Sequence, residues 1–93
     1  LKADIQNWLP VDCEVPWILE TDYHFGGYAR FPESLREFMC EFELQQGVQL
    51  DPVYTAKLVS AVYQRVQAGL YAPGTRLLLI HSGGLQGRAG YQI

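Results

Sequence analysis

The sequence predicts an α/β fold, a three-layer arrangement built on a parallel sheet of about three strands with βαβ crossovers. Three observations carry that expectation. Short apolar, β-prone runs stand at residues 17–21, 48–50 and 76–81. Helical periodicity fills the two intervals between them, and each run gives way to a loop rich in glycine, hydroxyl or titratable side chains. Strand, helix, strand, helix, strand is two successive βαβ units, and right-handed crossovers would set the strands parallel in one sheet.

Residues 1–16, with Trp8, Pro10 and Pro16, show no clear period and are expected to be an irregular or partly helical lead-in. The run 17–21 (WILET) reads as a strand, and the paired Gly26 and Gly27 of the next loop read as a sharp turn. Pro32 has the fixed φ suited to a first helical turn. Leu35, Phe38, Met39 and Phe42 then recur at i, i+3, i+4 and i+7. The spacing predicts a helix over 33–46 ending at Gly47, because glycine enters the left-handed conformation at little cost. A second stripe, Val59, Val62, Tyr63 and Val66 with Leu70 continuing it, predicts the next helix. The run 76–81 (RLLLIH) has the continuous apolar character of a strand buried on both faces.

Ninety-three residues make one domain at most, with a marginal core. A chain that is 48% hydrophobic and 18% charged is globular in composition, which argues against disorder. The net charge of -3, with no basic patch, argues against nucleic acid or an anionic membrane as partner. No apolar run is long enough to span a bilayer, and no signal peptide is visible. Cys13 and Cys40 are isolated, so two buried thiols in a reducing cytoplasm are expected, not a disulfide framework or zinc site. Three parallel strands with two helices would leave an edge and a face of the sheet uncovered. Either the chain forms a homo-oligomer or an amino-terminal portion of a larger protein completes it, and a start at Leu1 fits the second reading.

Two segments concentrate chemistry: DPVYTAK (51–57) and IHSGGLQGRAG (80–90). Both are placed at the carboxyl edge of the expected sheet, where open α/β folds bind ligands. Gly83, Gly84, Gly87 and Gly90 let backbone approach a ligand, and their N–H groups suit an anion. The segment has neither a Walker loop nor the dinucleotide glycine spacing, and an ordinary flexible loop explains it equally well. His81 is expected to cap its strand by hydrogen bonding. Asp51 is read as a helix cap, Tyr54 and Thr55 as first-turn residues facing the crevice, and Lys57 as a surface charge.

FGGYARF, LDPVYTAK and IHSGGLQG, in this order and spacing, resemble the carboxyl-terminal part of the 1-aminocyclopropane-1-carboxylate deaminase and D-cysteine desulfhydrase family. The resemblance runs from about Trp17 onward, so residues 1–93 read as a single partial domain. It implies a tryptophan synthase β-like (fold type II) pyridoxal-phosphate domain and a small amino-acid substrate from which ammonia and a 2-oxo acid are released. It implies two catalytic tyrosines: Tyr28, near the substrate carboxylate and in proton transfer, and Tyr54, close to the reacting carbon. Deaminases of the family carry glutamate where Thr55 stands. In the desulfhydrase branch a hydroxyl at the position of Ser82 contacts the pyridine nitrogen. Ser82, Thr55 and Gly83 are therefore the cofactor-binding candidates for pyridoxal 5'-phosphate. A neutral hydroxyl makes the ring a weaker electron sink, which suits α,β-elimination better than cyclopropane opening. GGLQG departs from both branches and resembles a deaminase-like branch. The family's Schiff-base lysine, substrate serine and phosphate loop match nothing here, neither Lys2 nor Lys57, so the chain alone is expected to be inactive. The reading from another class is a non-catalytic α/β binding or assembly module that oligomerises over its open sheet.

Overall fold

The computed structural model describes residues 2–12 and 14–91. Its regular elements are all helical: α1 (Lys2–Trp8), α2 (Glu33–Gln46), α3 (Thr55–Gln67) and a 3-10 turn at Leu85–Arg88. Cys13, one of the two expected thiols, lies outside the described residues.

Helix α2 forms where the periodicity placed it. Pro32 stands at its N-cap, extended at φ -67° and ψ 160°, and Gly47 closes it in the left-handed region at φ 68°. The Gly47 N–H donates to the Glu43 carbonyl, satisfying one of the acceptors that a helix end leaves open. Leu35 and Met39 are fully buried, with Phe38 and Phe42 packed beside them.

Helix α3 lies against α2. Tyr63 meets Phe38 edge-on at a centroid distance of 5.3 Å and Phe42 at 6.0 Å, the T-shaped geometry that aromatic quadrupoles favour. The burial on α3 is shifted from the expected stripe. Thr55, Ala56, Lys57, Val59 and Ser60 are buried, whereas Tyr63 and Val66 are exposed, and Leu70 falls beyond the helix. The core, Leu35, Met39, Leu50, Ala56 and Val59, sits between the α2 face and the first two turns of α3. Among the described residues helix α1 packs on neither.

The expected parallel sheet does not form: among the described residues there is no strand and no ladder. Residues 17–21, 48–50 and 76–81 are non-helical, and no backbone hydrogen bond joins one to another. The apolar run 76–81 is not buried on both faces either. Leu79 packs on the core, while Leu78 is 89% and Ile80 72% exposed. A β-prone run becomes a strand only when a neighbour takes up its N–H and C=O groups, and sheet propensity measures that context more than an intrinsic preference. The α2–α3 pair takes up the apolar surface that forms the core and leaves each run without a partner. The correct description is a two-helix core wrapped by irregular extended segments.

Side chains tie those segments down where ladders were expected. The His81 ring bridges two of them, its Nε2 lying 2.8 Å from the Gln49 carbonyl while Nδ1 accepts the Gly83 N–H at 3.0 Å. Since Nδ1 accepts, Nε2 carries the proton and donates. Arg65 of α3 reaches Glu20 at 3.2 Å and the Tyr71 hydroxyl at 2.9 Å, holding the first segment and the turn after α3. Arg88 pairs with Glu43 and donates to the Leu50 carbonyl at 2.8 Å, and Glu43 also accepts the Leu50 N–H at 2.9 Å.

Candidate functional site

Asp51 organises the site. Its side chain is 1% exposed and accepts the N–H groups of Val53 at 2.9 Å, Tyr54 at 2.8 Å and Thr55 at 2.8 Å. The Thr55 hydroxyl donates to the same carboxylate at 2.7 Å and accepts the Asp51 N–H at 2.7 Å. The capping role read from the sequence is met: the carboxylate takes up the Tyr54 and Thr55 donors that the helix start leaves unpaired, and the Val53 N–H just before them. Burial alone would raise the Asp51 carboxyl, but the hydrogen bonds from Thr55, Tyr54 and Val53 outweigh it and hold the group below its ordinary value of 3.8.

This turn sets Tyr54 at the threshold of α3, 59% exposed, with φ -121° and ψ -62°. Tyr28 comes to it from the glycine loop, 26 residues earlier. The Tyr54 hydroxyl donates to the Tyr28 hydroxyl at 3.3 Å, and the rings are tilted by 58° at 6.1 Å between centroids. Donation to Tyr28, then the proximity of the second phenol, some burial and the charge of Asp51 together push Tyr54 above its ordinary value of 10.0. Tyr54 therefore holds its proton here, and a base role at neutral pH requires a cation or an electrophile beside it.

The glycine segment meets the Asp51 turn directly. A Cβ on Gly84, whose φ is +80°, would lie 3.3 Å from both Cγ and Oδ1 of Asp51. Gly83 is left-handed at φ 91° and its N–H is taken by His81, so it is not free to hold an anion. Ser82 is exposed, with no hydrogen bond to its hydroxyl among the described residues. Thr55 is the reverse case: buried, with its hydroxyl engaged on both sides by Asp51. The structure thus joins Tyr28, Tyr54, Thr55 and Gly84 around Asp51 and leaves the Ser82 hydroxyl turned to solvent. No group of three His, Cys, Asp or Glu side chains among the described residues could hold a metal ion, and no helix is long and apolar enough to cross a membrane.

Lys57 corrects the sequence reading. It is 9% exposed, not a surface charge, and its ammonium donates to the carbonyls of His24 and Gly27, both at 2.9 Å. Burial pushes its pKa below the ordinary value of 10.5. Cys40 is half-buried, not buried. Spacing contained a signal for Lys57: it stands three residues after Tyr54, on the same side of the helix. For the Arg88–Glu43 pair, 45 residues apart, no local signal exists.

Over 74–76 residues, about 80% of this chain, the sequence is 31% identical to a 1-aminocyclopropane-1-carboxylate deaminase of Ralstonia nicotianae and 30% identical to one of Burkholderia multivorans. It is 34% identical over 70 residues, 75% of the chain, to a Pyrococcus furiosus protein provisionally given the same name. Over most of its length the chain is similar to proteins named as 1-aminocyclopropane-1-carboxylate deaminases. It spans about a fifth of the length of these curated deaminases, the matched segment covering 21–22% of each. No family profile matches the chain, and no solved structure matches it.

Proposed function

We propose that this chain is the carboxyl-terminal part of a pyridoxal-phosphate enzyme that releases ammonia and a 2-oxo acid from a small amino acid. The observation that carries this reading is the hydroxyl-to-hydroxyl contact of Tyr28 and Tyr54. Two motifs distant in sequence converge on one proton-handling pair, and the curated relatives are named as deaminases. Tyr54, held protonated by Tyr28 and rigid above Asp51, is suited to deliver or accept a proton once a cation or the cofactor lies beside it. Tyr28, the acceptor of that hydrogen bond, orients Tyr54 and faces the substrate.

The residues fit pyridoxal 5'-phosphate in part. Ser82, exposed with its hydroxyl unengaged, suits a contact to the ring nitrogen. Thr55 does not, because Asp51 already uses its hydroxyl as donor and acceptor. Gly83 could approach the ring only as backbone, with its N–H already given to His81. Lys57 does not suit covalent attachment, since two carbonyls hold its ammonium. When bound, the cofactor supplies an electron sink for bonds at the substrate α-carbon. A hydroxyl, not a carboxylate, near that ring favours elimination from a substrate with a good leaving group over cyclopropane opening.

The test compares two proteins. The product of the complete reading frame that contains this sequence should form ammonia and a 2-oxo acid from D-cysteine or 1-aminocyclopropane-1-carboxylate. General acid–base groups contribute about 10²–10⁴-fold, so Tyr54→Phe should lower that rate by about that factor. The 93-residue chain alone should form no product. Product from the chain alone, abolished by Tyr54→Phe, would overturn the reading. A second reading, an assembly module, is favoured by the exposure of Leu78 and Ile80. It calls for a second copy or an amino-terminal portion to cover that run.

A further inference from the structure

The loop that carries Tyr28 is strained. Gly26 and Gly27 take φ values of 93° and 127°, but Phe25 at 54° and Ala29 at 60° are also left-handed, and neither is a glycine. For an L-residue with a Cβ that conformation is unfavourable, because the Cβ comes too close to the following carbonyl oxygen. Such strain persists only where the surroundings over-determine it. Within the loop there are only two backbone bonds of turn type, Gly27 N–H to the His24 carbonyl at 3.2 Å and Arg30 N–H to the Gly27 carbonyl at 3.1 Å. The His24 ring also accepts the Gly26 N–H at 3.1 Å, and further restraint comes from outside. Lys57 takes the same two carbonyls at 2.9 Å each, and the Tyr91 hydroxyl takes that of Ala29 at 3.0 Å.

We propose that Lys57 is the positioning residue of the tyrosine pair: its buried ammonium, fixed in the first turn of α3, clamps the two strained turns through the His24 and Gly27 carbonyls and so holds Tyr28 against Tyr54. This rests on the reading of Tyr28 and Tyr54 as the proton-handling pair and adds how the pair is built. One helix start presents both halves of the device. Tyr54 opens α3 and Lys57 follows three residues later, so the group that grips the loop and the group that meets Tyr28 move as one rigid body. Among the described residues the Lys57 ammonium is hydrogen-bonded to loop carbonyls and to neither phenol, so it acts through the loop backbone. A buried ammonium on two carbonyls gives charge-assisted bonds, stronger than neutral ones and costly to leave unmade. They are therefore suited to oppose left-handed strain at Phe25 and Ala29.

The experiment uses the 93-residue chain with ¹³Cζ-labelled tyrosine, followed by NMR against pH, in the unsubstituted form and as Lys57→Met, Tyr28→Phe and Lys57→Arg. Lys57→Met keeps the unbranched apolar stem and removes only the charged donor. It should shift the Tyr54 titration downward to that of Tyr28→Phe and abolish the Tyr28–Tyr54 ring NOE, with the helical circular dichroism retained. Lys57→Arg, which restores donors, should recover part of both signals. A Lys57→Met chain that keeps its helices, its ring NOE and the Tyr54 titration overturns the proposal. Should that variant lose its helices, the unsubstituted chain decides. Slow exchange of the Lys57 ammonium protons with NOEs to the backbone at His24 and Gly27 supports the clamp, and a freely exchanging ammonium sinks it. Failure of the functional reading shows separately. Tyr54→Phe in the complete enzyme would then leave turnover unchanged while the NMR shifts in the chain still occur.

Discussion

Removing the Asp51 carboxylate is the perturbation with the clearest expected size. In Asp51→Ala, three backbone N–H groups and the Thr55 hydroxyl lose one shared acceptor. A bond to a charged acceptor is worth about 1.5–3 kcal/mol, yet the terms do not add. The N–H groups of Val53 and Tyr54 are only part-buried and regain water, while Thr55 is buried and its N–H does not. Loss of an N-cap alone costs about 0.5–2 kcal/mol, and a buried unpaired donor adds about 1–3 kcal/mol. The expected loss is therefore about 1.5–5 kcal/mol, a large part of the 5–15 kcal/mol that holds a typical domain. Asp51→Asn keeps one acceptor oxygen and should lose about half as much.

Acid adds a second, independent signature. The folded-state pKa of Asp51 lies below its unfolded value of 3.8, so the unfolded chain takes up the proton first as pH falls. The contribution is fully present above pH 3.8 and disappears as pH drops through the folded value. Urea unfolding followed by circular dichroism at pH 7 and through the acid range measures both effects. An Asp51→Ala midpoint within about 0.5 kcal/mol of the unsubstituted chain, the size of a neutral surface change, would falsify the capping argument. An Asp51→Asn chain with undiminished acid sensitivity would do so as well.

Three further outcomes are expected. Gly84→Ala should cost more than Gly47→Ala in the same urea assay. Both glycines are left-handed, with about 1–2 kcal/mol at stake for a Cβ, but only at Gly84 would that Cβ press on Asp51, at 3.3 Å, while nothing lies within 4 Å of Gly47. Arg88→Met should lose about 2 kcal/mol or more, because it leaves the half-buried Glu43 carboxylate without its cation and the Leu50 carbonyl without its donor. Thermal unfolding of that variant and of the double Arg88→Met/Glu43→Gln, in which the orphaned charge is removed, checks this; the double variant should be the more stable of the two. Leu78→Glu should leave unfolding within about 0.5 kcal/mol, since that side chain is almost wholly exposed. It should lower self-association in sedimentation velocity if a second copy covers the 77–80 run.

Much of the site was legible locally. The DPVY turn needs only an acidic acceptor, a proline and the donors that follow, so Asp51 as cap was readable from neighbouring residues. Helix α2 was readable to its ends because its period, its proline and its glycine agree. The loops come together without strand ends or a sheet, through the contacts of Tyr54 with Tyr28, Gly84 with Asp51 and Tyr91 with Ala29. The burial of Lys57 escaped the reading, because its acceptors are backbone carbonyls some 30 residues away and carry no mark in the side-chain pattern.

By itself the sequence determined the two amphipathic helices, the capping chemistry and the likeness to the deaminases, since each rests on residue identity at short spacing. Only the tertiary structure decided that the three apolar runs stay unpaired and that Lys57 turns inward. Helical hydrogen bonds close within four residues, but a ladder needs a second segment, and so does an acceptor for a buried ammonium. Whether that segment arrives is a property of the whole packed chain.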